Sequence, residues 1–136
     1  MKFLIELLVI FLMFISVIIL DYIWLGIITK NFLINEFGSL VNVKNGSIQI
    51  KLLVGLITWL IIALGVYIFA VYPSSTLSKA LILGAIFGFI SYSIYDLTNL
   101  TFIKNYPVKF VFVDIAWGTF ISSSIAGVGF IIRKLF

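Results

Sequence analysis

The sequence contains no cysteine and no histidine among its 136 residues. Without cysteine the chain has no disulfide and no thiolate nucleophile, and without either residue it has no thiolate or imidazole metal ligand. The same two absences exclude Ser-His and Cys-His catalytic pairs. The sequence provides five acidic side chains.

Charge is scarce as well. Charged residues make up 10% of the chain, whereas a soluble domain usually carries about 25%. Hydrophobic residues make up 63% and the mean hydropathy is +1.30, so most of the protein must face lipid. The formal charge of +4 comes from scattered Lys and Arg. Because no basic stripe is present, the lipid bilayer is an expected partner and nucleic acid is not.

Four long apolar stretches predict the fold class: an all-α integral membrane protein with four transmembrane helices in an antiparallel bundle. The predicted helices cover about residues 3–29, 49–72, 79–103 and 108–132 of a single domain spanning residues 1–136, and each is long enough to cross ~30 Å of hydrocarbon. The runs lack the alternation of barrel strands, and the second has no polar face for a soluble bundle. The first is too long for a signal peptide, so we expect it to be retained.

The polar stretch between the first two predicted helices still carries apolar side chains. Leu33, Phe37 and Val41 are spaced by four residues, which predicts a short interfacial helix. Asn45-Gly46 predicts a turn before the second span. We call the membrane side that holds residues 73–78 side A, and the side that holds residues 30–48 and 104–107 side B. Basic residues are divided almost evenly between the two sides, so the positive-inside rule predicts no orientation.

Three aspartates lie inside predicted spans. Asp21, Asp96 and Asp114 are each six to eight residues from the side B end of their helix, which at 1.5 Å per residue is a depth of roughly 9–12 Å. An aspartate there costs about 2.5–3.5 kcal/mol on the insertion scale. Because three such acids share one level and no intramembrane Lys or Arg neutralises them, we expect a functional cavity. The alternative is that they only join helices through hydrogen bonds.

Polar and aromatic neighbours at helical spacing complete the candidate site. Asp96 and Asn99 are three residues apart, and Asp21 and Asp114 each precede a tryptophan by three. Those two tryptophans are either interface anchors or the walls of a pocket. The candidate residues for binding a substrate or ion are Asp21, Trp24, Tyr92, Tyr95, Asp96, Thr98, Asn99, Asp114, Trp117, Gly118 and Ser122.

Three functions fit these residues. The first is binding or transport of a proton, a cation or a small cationic substrate, because clustered carboxylates in low dielectric cannot all stay ionised cheaply. The second is a membrane enzyme acting on a lipid or prenyl substrate, with a divalent cation such as Mg²⁺ at the aspartates. The third is an accessory or structural subunit. No catalytic residue and no other cofactor is indicated, and the expected protein partner is a second copy or another membrane protein.

Three short stretches resemble the signature of a known family. They are Asp21-Tyr22-Ile23-Trp24-Leu25-Gly26, Tyr95-Asp96-Leu97-Thr98-Asn99 and Asp114-Ile115-Ala116-Trp117-Gly118. The chain is similar, over nearly its whole length, to the predicted membrane proteins catalogued as domain of unknown function 2177. That family often has Trp where Tyr106 stands here, and a Tyr after the first motif where this chain offers Phe32 or Phe37. The resemblance implies the same membrane fold and no defined activity.

Overall fold

A computed structural model describes residues 2–136. Within that range four helices are long and apolar enough to cross a membrane, which confirms the predicted fold class. We call them the first span (Lys2–Ile28), the second (Leu52–Val71), the third (Leu77–Phe102) and the fourth (Val108–Leu135). Their ends lie within about three residues of those predicted, because Pro, Gly and polar clusters interrupt the apolar runs at the same places.

Two of the spans change from α-helical to π-helical hydrogen bonding before they end. The first span consists of α1 (Lys2–Ile23) and a π-helical turn (Trp24–Ile28), and the second of α3 (Leu52–Val66) and a π-helical turn (Tyr67–Val71). The third and fourth spans are the continuous helices α4 (Leu77–Phe102) and α5 (Val108–Leu135). A π-helical turn widens the helix and rotates the side chains that follow it, and such turns often occur at functional sites.

The connection between the first two spans contains the predicted short helix, α2 (Lys30–Phe37), followed by a 3₁₀ turn (Gly38–Leu40). It also contains a small hairpin, β1 (Val43–Lys44) and β2 (Ser47–Ile48), which our sequence analysis did not predict. Asn45 and Gly46 form the hairpin turn with φ of 51° and 71°. Asn-Gly favours this turn because both central residues need positive φ.

The buried apolar core occupies the half of the bundle next to side A, which we call the closed half. Val9, Met13 and Val17 of the first span, Val66 of the second and Ile125 of the fourth are fully buried there. Large apolar side chains on the outer faces of all four spans are exposed, as expected for a protein surrounded by lipid. The core therefore joins the helices to one another, while the remaining apolar surface faces the bilayer.

Small residues bring the third and fourth spans into close contact in the closed half. A Cβ added at Gly84 would lie 2.7 Å from the Ala126 side chain, and one added at Gly88 would overlap the carbonyl oxygen of Gly118. Ala80, Gly84 and Gly88, which follow one another at intervals of four residues, thus pack helices within the chain. Small side chains allow this approach because lipid provides no hydrophobic force between helices and contact depends on fit.

The half next to side B, which we call the open half, is packed differently. Here the second span touches the first, while it meets the third mainly through its π-helical turn on the opposite side of the membrane. The start of the second span is therefore separated from the third span. The three aspartates of the spans all lie in this half.

Candidate functional site

Asp21 joins three of the four spans. Its Oδ2 accepts a hydrogen bond of 2.6 Å from Nε1 of Trp59 in the second span, and its Oδ1 accepts one of 2.7 Å from Nε1 of Trp117 in the fourth. The side chain is 6% exposed. Two indole donors, one on each oxygen, hold this carboxylate in place, and they satisfy a polar group that would otherwise be costly to bury.

The tryptophans of the two Asp-x-x-Trp motifs stack on each other. The Trp24 and Trp117 rings lie 4.3 Å apart between centroids and are inclined by only 3°. Because Trp117 also binds Asp21 and lines a cleft described below, its position matches the pocket-wall alternative. The second donor, Trp59, was missed by the sequence analysis. The second span contains no acid, and its lone tryptophan was the one signal that could have drawn attention to it.

Asp96 and Asp114 form a carboxyl pair between the third and fourth spans. Their carboxyl groups lie within hydrogen-bonding reach of each other, and the two side chains are 0% and 9% exposed. Oδ2 of Asp96 is buried, and no N–H or hydroxyl of residues 2–136 donates to it. A hydrogen bond between two carboxyl groups requires a proton on one of them, since an ionised carboxylate only accepts.

Tyr106, in the turn between the third and fourth spans, completes the surroundings of Asp96. Its hydroxyl donates a 3.1 Å hydrogen bond to Oδ1 of Asp96 and accepts one of 3.5 Å from Nδ2 of Asn99. Burial raises the pKa of this phenol, and the neighbouring Asp96 raises it too, outweighing the opposite effect of Asn99. Tyr106 therefore remains a donor over the physiological range. The departure from tryptophan at this position keeps a polar contact.

An aromatic cluster holds Tyr106 in place at side B. Phe37, at the end of α2, meets the Tyr106 ring edge-on at 5.7 Å and the Phe110 ring at 4.8 Å. Such edge-to-face pairs contribute about 0.5–1.5 kcal/mol beyond the area that they bury. The short helix α2 is thereby tied to the start of the fourth span. A pocket of about 370 Å³, lined by residues 35–40 and 103–107, lies beside this cluster.

A cleft of about 590 Å³ opens in the open half between the second span and the third and fourth spans. Its walls are mostly apolar and aromatic, and its polar groups include two of the aspartates. The lining residues are Asp21, Leu25, Ile50, Lys51, Val54, Gly55, Thr58, Trp59, Ile62, Tyr92, Tyr95, Phe110, Asp114 and Trp117. The volume falls within the range of ~300–1,000 Å³ that is typical of small-molecule sites.

The other predicted site residues are divided between the cleft and its surroundings. Tyr92 and Tyr95 line the cleft, whereas Thr98 is exposed on another face of the third span. Gly118 and Ser122 lie in the contact between the third and fourth spans. A Cβ at position 118 would overlap the Tyr92 ring, so this glycine makes room for a cleft-lining tyrosine. Ser122 is fully buried and lies against Gly88, away from the carboxyl groups.

The positions of the three aspartates bear on the divalent cation expected at them. Among residues 2–136, no three acidic side chains come together as a group that could hold a metal ion. Asp21 is held by the two indoles, whereas Asp96 and Asp114 pair with each other. The three carboxyl groups therefore do not form one cluster. A divalent cation at the aspartates stays a prediction.

Comparison with known proteins identifies the family and nothing finer. Residues 6–131 match the sequence profile of a family described as predicted membrane protein (DUF2177). The chain belongs to this family, because the match covers most of its length. Comparison with curated proteins and with solved structures gives no significant match. The family and the four apolar helices together establish a multi-pass integral membrane protein, which resides in a lipid bilayer.

Proposed function

We propose that this DUF2177 membrane protein holds an exchangeable proton, beside which a cationic group can bind, at a carboxyl site inside the bilayer composed of Asp96 and Asp114 with Asp21 beside them. The observation that carries the proposal is the close approach of the Asp96 and Asp114 carboxyl groups within the membrane. No Lys or Arg of residues 2–136 is paired with either of them. Intramembrane acids of this kind usually mark ion or proton sites.

The charge of the pair supports a bound proton. Two carboxylates in contact repel each other, and low dielectric increases the repulsion, so one proton shared between them stabilises the pair. Tyr106 donates to Oδ1 of Asp96, which leaves the buried Oδ2 for the shared proton. Asp114 also lines the cleft. A proton on the pair is therefore next to a space that a ligand can enter.

We limit the proposal to binding because a packed core of mainly apolar side chains fills the closed half. Val9, Met13, Val66 and Ile125 are fully buried between the aspartates and side A, and apolar side chains provide no ligand for an ion. Conduction by a single chain would need the core to open. Transport, the broader expectation, thus requires a second conformation or a second copy of the chain.

Infrared spectroscopy tests the shared proton. In protein reconstituted into phosphatidylcholine bilayers, we expect the carbonyl stretch of a protonated carboxylic acid at neutral pH, with a shift in D₂O. Asp96→Asn and Asp114→Asn should each remove this band, because either change destroys the pair. Glu36→Gln, which changes an acid outside the spans, is the matched control and should leave it intact.

Two results would contradict the proposal. One is a wild-type spectrum without a protonated carboxyl band at neutral pH. The other is a proton titration of the Asp96→Asn protein that matches that of the wild type. Proton flux into proteoliposomes, measured with an enclosed pH-sensitive dye, separates binding from transport.

A membrane enzyme acting on a lipid is the second candidate, and the cleft favours it. The cleft has apolar walls and lies between spans that face the bilayer, so a lipid tail can enter from the side. The carboxyl groups in its lining are suited to acid–base chemistry. Expression of the protein should then change the cellular lipid profile, and Asp114→Asn should abolish that change. Unaltered lipids on expression would leave binding as the function.

A further inference from the structure

We propose that the cleft binds a lipid amine, an amphiphile whose ammonium head lies against Asp114 and Asp21 while its chain lies along the second span. This inference rests on the proposed carboxyl site and names the ligand class that enters it. Three features of the cleft carry the inference: its carboxyl groups, its aromatic walls and its elongated apolar side.

Two carboxyl groups in the cleft lining can accept hydrogen bonds. Asp114 is 9% exposed and lines the cleft, and no N–H or hydroxyl of residues 2–136 donates to it. Asp21 lines the same cleft, and its two oxygens already receive the indole protons. After the Asp96–Asp114 pair has taken one proton, the site still carries negative charge. A ligand that enters must therefore donate hydrogen bonds, and a positive charge stabilises it further.

The walls near the carboxyl groups are aromatic. Trp59, Trp117, Tyr92 and Tyr95 all line the cleft, and the faces of such rings attract cations. A neutral alcohol would satisfy an acceptor without compensating the charge. An anionic head would meet two carboxyl groups. The charge and the rings together favour an ammonium head over either alternative.

The apolar side of the cleft explains why the cation should belong to a lipid. From Val54 to Ile62 the cleft follows the second span over nine residues, a rise of about 12 Å at 1.5 Å per residue. Val54 is 58% exposed, so the cleft is open to the bilayer along this edge. A chain that lies here stays in apolar surroundings, whereas a hydrated ion from water would have to lose its shell.

Lys51 is the lone basic residue of the cleft lining, and it is exposed at the start of the second span. Its substitution distinguishes a cationic from an anionic occupant of the cleft. If the cleft holds a lipid amine, Lys51 contributes no attraction, and Lys51→Gln should leave binding unchanged or strengthen it. If the cleft holds an anionic amphiphile such as a fatty acid, the same substitution should weaken binding.

Photocrosslinking in nanodiscs of phosphatidylcholine tests the inference. The probe is a long-chain primary amine with a diazirine in its chain, and the matched probes carry an alcohol or a carboxylate on the same chain. We expect saturable labelling of residues 50–62 by the amine, and weaker labelling by the other two. Asp114→Asn should weaken apparent binding of the amine by about tenfold or more, because a buried charge partner is lost.

A second variant keeps the test decisive if Asp114→Asn fails to fold. Val54→Phe fills the cleft from its exposed edge and should reduce labelling while leaving the infrared band of the Asp96–Asp114 pair unchanged. Equal labelling by the alcohol or the carboxylate, or full labelling of Val54→Phe, would overturn the inference. A protonated carboxyl band without selective amine labelling would refute the lipid amine alone, whereas a missing band would refute the proposed function.

Discussion

The two halves of this bundle are built from the same four helices and packed by different means. In the closed half, small residues such as Gly84 and Gly88 let the third and fourth spans touch, and apolar side chains fill the centre. In the open half, Tyr92 and Trp59 are large, and the spans are joined by hydrogen bonds to carboxyl groups while a cleft remains. Because lipid gives helices no hydrophobic reason to associate, the side chains at each level decide whether they meet.

The comparison also separates the three aspartates by role. Asp21 resembles a structural joint, since both oxygens are occupied by donors from other spans. Asp96 receives a hydrogen bond from Tyr106 on one oxygen, and its carboxyl group lies against that of Asp114. One intramembrane acid thus holds helices together, as the structural alternative expected, and the other two form the group for which we propose a function.

The largest effect should come from tightening the closed half. In Gly88→Ala the new methyl group would overlap the Gly118 carbonyl oxygen and approach Ser122. Since backbone must move, we expect a loss of about 3 kcal/mol or more in the free energy of unfolding, at the upper end of overpacking costs. Circular dichroism during titration with SDS in mixed micelles measures it.

The matched control for that change is Gly55→Ala in the open half. A methyl group there lies 3.4 Å from the Trp59 ring, an ordinary contact. Alanine favours helix over glycine by up to ~1 kcal/mol, so this variant should be as stable as the wild type or slightly more so. Equal destabilisation of the two variants would refute the contrast between the halves.

A smaller loss is expected when the joint at Asp21 is weakened. Trp59→Phe and Trp117→Phe each remove one indole donor, and hydrogen bonds between membrane helices contribute about 0.6 kcal/mol on average and up to ~1.7. We expect values near the upper limit, because the acceptor is charged and buried. In the Asp21→Asn background the same substitutions should lower the free energy of unfolding by less. If the losses of the single variants simply add in the double variants, the assigned hydrogen bonds would be contradicted.

Tyr106→Phe should have a still smaller effect, and it should depend on pH. The change removes the donor to Asp96 and should cost about 1 kcal/mol at pH 7. Because the folded state raises the pKa of Tyr106 above its usual value near 10, its contribution is complete below that pH and is lost as pH rises further. Stability of the wild type should therefore fall more steeply above pH 10 than that of Tyr106→Phe. Parallel curves in the two proteins would contradict the raised pKa of Tyr106.

The smallest effect on stability should follow from filling the cleft. Val54 is largely exposed, so Val54→Phe should change the free energy of unfolding by less than about 0.5 kcal/mol, as surface substitutions usually do. A large loss would show that the open half is more tightly packed than the structure indicates. The same titration with SDS provides the measurement.

Much of the site could be found from the sequence because the cost of burying charge in lipid does not depend on the fold. That cost singled out Asp21, Asp96 and Asp114 before any contact was known. The same cost does not indicate which residues elsewhere in the chain donate hydrogen bonds to these acids. Trp59 and Tyr106 donate across 38 and 10 residues of sequence, and no local pattern relates such positions. The hairpin at Asn45-Gly46 was missed for a different reason, since only its turn has a sequence signal.

By itself the sequence determined the four spans, their order and the level of the acids, because hydropathy and the 1.5 Å helical rise act along the chain. The tertiary structure alone decided which acid is paired with which group. It placed two indoles on Asp21, brought Asp96 against Asp114, and left the second span apart from the third at side B. These outcomes depend on how helices rotate and pack against one another, and that is settled by side-chain shape between segments distant in sequence.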